Sequence, residues 1–77
     1  MALAKNHNLT AQEVNAVIDA IKAEPEGLTN FELQRKLHGS VNPGATMDLR
    51  ILMVHLRQDK KVATKGQLRG MKYVWVG

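Results

Sequence analysis

The chain has no cysteine, only two prolines and only three aromatic residues, and acidic residues become scarce after residue 27. The lack of cysteine excludes disulfides, cysteine-ligated zinc and thiol chemistry. No apolar run approaches the roughly 18–20 residues of a membrane span. The opening Met-Ala-Leu-Ala-Lys has no long apolar segment of the signal-peptide kind. His7, His38 and His55 are scattered, with no pair four residues apart, so no metal site is expected. Ser40 has only His38 near it and no nucleophile-elbow context. Gly66 and Gly70 lack the helix start and the lysine–hydroxyl pair of a phosphate loop. No catalytic constellation emerges, and neither an enzyme nor a cofactor is expected.

What is there is one small domain of 77 residues, near the lower size limit for a core without staples. Its charge is uneven. Residues 1–27 hold two Lys/Arg against four Asp/Glu, a balance of −2; residues 28–77 hold nine against three, a balance of +6. One-sided positive charge attracts polyanions, although a basic solvated surface has the same composition.

Residues 1–9 read as a tail and residues 10–77 as the domain. Thr10-Ala11-Gln12-Glu13 is a capping box, and Val14, Val17, Ile18 and Ile21 follow as one helical stripe. Leu9 is placed to staple onto Val14. Pro25 ends this first helix, expected over residues 11–23. Leu28 is a short extended position. A second capping box, Thr29 to Glu32, opens a helix over 30–38, with Leu33 and Leu37 inward, Phe31 flanking them and Gly39 closing it. Ser40–Gly44 is the connection, longer than a tight helix-turn-helix turn.

Pro43-Gly44 breaks the chain, and from Ala45 a third helix carries Leu49, Leu52, Met53 and Leu56 inward. Asp48 is expected in its first turn, with Arg57, Lys60 and Lys61 at its end, as the helix dipole favours. Val62-Ala63-Thr64 and Met71–Val76 read as two strands joined by a loop with two glycines. The expected fold class is α+β.

This order resembles the winged helix-turn-helix superfamily. The residues that carry the likeness are Gly27-Leu28-Thr29 with Glu32, Leu33 and Leu37; Leu49, Leu52 and Leu56; Asp59-Lys60-Lys61-Val62; and Gly66, Gly70, Tyr73 and Trp75. Lys60-Lys61 stands where the family usually has a glycine. The resemblance implies three helices, a two-stranded hairpin wing, and a non-enzymatic DNA-binding protein: a small transcriptional regulator or nucleoid-type factor in the cytoplasm. The third helix would enter the major groove through Thr46, Arg50 and Arg57. Lys60, Lys61, Lys65 and Lys72 would meet phosphates, with Gln67 and Arg69 at the minor groove, where a narrow A·T-rich stretch favours an arginine. Specificity would call for a homodimer, a larger assembly or a further domain.

The side of the third helix opposite its stripe carries Met47, Ile51, Val54 and Gln58, which is more apolar than a base-reading face. Three readings are open. Ile51 and Val54 are buried against the hairpin, or they form a dimer or partner surface, or Met47 and Ile51 touch thymine methyls. The second makes the domain a protein-interaction module. Tyr73 and Trp75 fit a core or an interface better than a stacking platform for single-stranded bases.

Overall fold

The computed structural model describes residues 8–67 and 70–77. Three helices, α1 (Ala11–Lys22), α2 (Asn30–His38) and α3 (Pro43–Gln58), precede an antiparallel hairpin of β1 (Val62–Lys65) and β2 (Lys72–Trp75). The class is α+β, and the element order is the one the resemblance implies.

Both capping boxes form. The Thr10 hydroxyl accepts the Glu13 N–H at 3.1 Å, and the Glu13 carboxylate accepts the Thr10 N–H at 2.9 Å. Thr29 and Glu32 repeat this at 3.1 and 2.8 Å. Each box satisfies two backbone donors that the first helical turn leaves unpaired. At the far end of α2, Gly39 takes φ +80°, and its N–H donates to the Arg35 carbonyl. A left-handed cap of this kind is open to glycine with no side-chain penalty.

The third helix starts earlier than its apolar stripe indicates. Asn42 is the N-cap, its side-chain oxygen accepting the Ala45 N–H at 2.8 Å, and Pro43 is the first helical residue. Proline suits that place because its missing N–H would have had no partner there. Two expectations change as a result. Asp48 lies beyond the first turn, where its carboxylate accepts the Asn8 N–H at 3.3 Å. The connection between α2 and α3 is the four residues 39–42, the length of a tight turn. Lys60 and Lys61 lie past the end of α3 at Gln58.

Val17, Ile21, Leu33, Leu49 and Met53 form the most buried part of the core, with Leu52, Leu56, Val62 and Tyr73 around them. Leu9, Val14, Ile18 and Leu37 are partly buried against it. Phe31, beside the inward stripe of α2, is 50% exposed.

The hairpin pairs Val62 with Trp75, Ala63 with Val74, Thr64 with Tyr73 and Lys65 with Lys72. The second strand is shorter than expected, and Met71 and Val76 fall outside it. Val76 N–H donates instead to the Lys61 carbonyl at 2.8 Å. Leu28 adds one extended residue to the other side of β2. Its N–H donates to the Tyr73 carbonyl at 3.1 Å, and the Tyr73 N–H donates back at 2.8 Å. Among the described residues, no helix is long and apolar enough to cross a membrane.

Gly27 makes the Leu28 bridge possible. It sits at φ +89°, and a Cβ there would come within 2.9 Å of both the Tyr73 carbonyl oxygen and a Val74 methyl. Gly27→Ala should therefore destabilise the fold by about 2–4 kcal/mol, combining backbone strain with a clash against main chain. Urea unfolding of the two proteins checks this.

The capping boxes also set an acid dependence. The Thr10 N–H holds the Glu13 carboxyl below its ordinary range, and the Thr29 N–H does the same for Glu32, helped by the charge of Lys72. A depressed folded pKa gives stability that is present above the ordinary value and lost as pH falls through the folded one. The melting temperature of the parent should drop on acidification below pH 4.5, the ordinary glutamate value. The double variant Glu13→Gln/Glu32→Gln, which keeps the capping geometry without the charge, should show a flatter profile in the same scan.

Candidate functional site

The site begins with the junction that aims α3. Gln34 is fully buried at 0% exposure, and it is the one buried polar side chain among the described residues. Its amide nitrogen donates to Asn30 Oδ1 and to Thr46 Oγ1, both at 2.7 Å, and its oxygen accepts the Asn42 N–H at 2.9 Å. Both donors and the acceptor are thus in use. Asn30 Nδ2 donates to the Thr46 carbonyl at 3.1 Å, and the Thr46 hydroxyl donates to the Asn42 carbonyl at 3.0 Å. Gln34, Asn30, Asn42 and Thr46 thereby tie α2 to the first turn of α3. No buried side-chain polar atom among the described residues lacks a partner.

This network engages the half-buried Thr46. Its hydroxyl hydrogen goes to Asn42 and its lone pairs receive Gln34, so Thr46 positions α3 and has no hydrogen left to offer a base edge. Sequence reasoning passed over Gln34. Its only signal was position: it directly follows the buried Leu33 on a short helix.

Arg50 and Arg57 are exposed on α3, two turns apart on the same flank. Arg57, with Val54 and Gln58, faces Val62, Ala63 and Thr64 of β1 across an open groove of about 620 Å³. The outward apolar side is now resolved in part. Val54 is not covered by the hairpin but forms a wall of the groove, 49% exposed. Met47 is 53% exposed, and Ile51 is half-buried.

Lys60 and Lys61 are exposed at the exit of α3. Lys60 has φ +60°, alone among the described non-glycine residues in taking a positive value. It occupies the left-handed position for which the resemblance leads one to expect glycine, at a conformational cost of about 1 kcal/mol. The Lys61 carbonyl accepts the N–H groups of Val76 and Gly77.

On the hairpin, Lys65 and Lys72 are a directly opposed cross-strand pair. Like charges so placed destabilise a hairpin. Two acids from outside it moderate this: Glu26 lies 3.7 Å from the Lys65 ammonium, and the charge of Lys72 is felt at Glu32. The Lys65–Glu26 pair is exposed on both sides and therefore weak. Gln67 is exposed in the loop, and its carbonyl accepts the Gly70 N–H at 3.0 Å. Arg69, the residue expected at the minor groove, lies outside the described residues.

Tyr73 is buried and Trp75 half-buried, in line with the core reading. The Lys22 ammonium sits 4.9 Å from the centre of the Trp75 ring, over a face that a stacking base would need. Among the described residues, no group of three or more His, Asp or Glu side chains is arranged to hold a metal.

Gln34→Leu should keep the packing volume but strand the Asn42 N–H and the Asn30 and Thr46 oxygens. A loss of about 2–4 kcal/mol is expected, since each buried group left unpaired costs about 1–3 kcal/mol. Denaturant unfolding gives the value, and a loss below 1 kcal/mol would show that water replaces the amide at the junction.

No protein-family model, curated protein or solved structure matches the chain, so what the site can do is read from its own geometry.

Proposed function

We propose that the chain is a winged helix-turn-helix domain that binds double-stranded DNA, with α3 toward the major groove and the hairpin as a wing along the backbone. One observation carries this reading: positive charge only partly offset along α3 and the hairpin. Among the described residues, no carboxylate forms an ion pair with Arg50, Arg57, Lys60, Lys61 or Lys72, and the sole partner of Lys65 is an exposed Glu26. A surface that carries this self-repulsion, and places Lys65 opposite Lys72, is suited to a polyanion that neutralises it.

Arg50 and Arg57 are the α3 contacts, and Lys60, Lys61, Lys65 and Lys72 the phosphate contacts. Thr46 acts by holding the helix in place. Gln67, exposed in the wing loop, is its base-reading candidate, and Arg69 keeps its sequence-based assignment to the minor groove. With so few base-reading groups, backbone contacts and DNA shape dominate over direct readout. A second reading, a protein-interaction module, draws on the half-exposed Met47 and Val54 of α3.

Fluorescence anisotropy with A·T-rich and G·C-rich duplexes at several salt concentrations separates the two. DNA binding through about four to six phosphates should make log affinity fall with log salt at a slope of about −4 to −5. The A·T-rich duplex should bind more tightly. Folded protein that binds neither duplex at low salt would end the DNA reading, and Val54→Asp would then be the variant to test in a partner screen.

A further inference from the structure

The ladder of the hairpin determines which backbone groups of β1 face outward. Tyr73 exchanges both of its backbone hydrogen bonds with Leu28, so its N–H and C=O point away from β1. Its cross-strand partner Thr64 therefore belongs to a pair that is not hydrogen-bonded. By the period of two, the same holds for Val62 opposite Trp75. The Val76 N–H, donating to the Lys61 carbonyl, fixes the same phase from the other end. Ala63 and Lys65 thus face β2, whereas the N–H and C=O of Val62 and Thr64 point outward. These four groups have no hydrogen-bond partner among the described residues. Only 4% of Val62 is exposed, so its two outward groups are also largely cut off from water, and backbone groups so placed are nearly always paired.

The groups open on the groove in which Val54, Arg57 and Gln58 of α3 stand opposite Val62, Ala63 and Thr64. An edge that alternates donors with acceptors is complementary to another peptide backbone, whereas an ionised phosphate could use only the donors. Val54, 49% exposed, offers an apolar wall to one inward side chain. The charge is of one sign: Arg57 lines the groove, the exposed Lys61 and Lys65 flank the two outward-facing residues, and no acidic residue lines it. We propose that the outer edge of β1 takes an extended acidic segment of another protein as an added strand. The partner's main chain bonds to Val62 and Thr64, an aliphatic side chain packs on Val54, and carboxylates meet Arg57, Lys61 and Lys65. The main-chain bonds supply affinity and register, and the Val54 wall and the cations select the sequence. The exposed Lys65–Glu26 pair is weak enough to yield to a partner's acid. This site does not rest on the DNA reading, but it shares Arg57, Lys61 and Lys65 with it, so an added strand and a duplex compete for those side chains.

The test uses the full chain and two short labelled peptides, one alternating valine with glutamate and the other valine with lysine. Fluorescence anisotropy should show saturable binding of the first and none of the second. Deuterium exchange followed by NMR reads the parent protein without any variant. Bound peptide should slow exchange of the Val62 and Thr64 amides about tenfold and leave those of Ala63 and Lys65, which face β2, unchanged. Thr64→Pro removes one outward donor and costs no bond to β2, since proline is tolerated where the N–H faces away from the ladder. Shown to be folded by circular dichroism, this variant should bind the acidic peptide about tenfold more weakly and any duplex as the parent does. No binding of the acidic peptide, equal binding of the two peptides, or binding that leaves the Val62 and Thr64 amides unprotected would overturn the proposal. So would sedimentation showing a dimer that protects the same two amides without peptide, which would give the edge to a second copy. A parent that binds the acidic peptide and no duplex would end the DNA reading and leave this one standing.

Discussion

The orientation of α3 depends on one buried amide. Gln34 is sealed in the core, with three hydrogen bonds that reach Asn30, Thr46 and the Asn42 backbone. In a low-dielectric interior these bonds are strong and their absence is expensive, so the two helices have little freedom to slide or rotate against each other. Apolar contacts alone would not impose this, because Leu33, Leu49 and Met53 tolerate small shifts in packing without losing a partner. Where Arg50 and Arg57 point follows from where this amide holds the first turn of α3. A residue with no surface exposure thereby governs the geometry of a charged surface some two turns away.

The second constraint is electrostatic and works against stability. The hairpin sets Lys65 against Lys72, and the exit of α3 places Lys60 in a left-handed conformation that glycine would occupy at less cost. Glu26 and Glu32, from the turn before α2 and from its first turn, soften the field at the hairpin without cancelling it. Glu32 has a second task, since the same carboxylate closes the capping box of α2. The start of α2 and the loop end of the hairpin are therefore coupled through one side chain and, a few residues earlier, through the backbone bridge between Leu28 and Tyr73.

Local chemistry made much of this readable in the sequence. The capping boxes at Thr10 and Thr29 act within four residues, and the stripes Val17–Ile21 and Leu49–Leu56 follow helical periodicity, so both are legible without tertiary information. The start of α3 was misread because its stripe begins at Ala45, whereas the helix is set by Asn42 and Pro43, whose capping role involves no apolar residue. Helical angle assigns a side, but only the neighbouring helix decides whether that side is open, as for Phe31, or engaged, as for Thr46. The Lys65–Lys72 pairing depends on strand register, which neither a composition nor a period encodes.

The hairpin has a further property that follows from its strand order. β2 is flanked by β1 on one side and by Leu28 on the other, while the outer edge of β1 has no strand beside it among the described residues. An open edge is a template on which another copy of the chain can add a strand, and proteins commonly block this with a charged residue, lysine above all. Lys65 ends that edge strand. The same ammonium that is available to a phosphate therefore also discourages strand-to-strand aggregation, and a neutral residue in its place changes colloidal behaviour along with affinity.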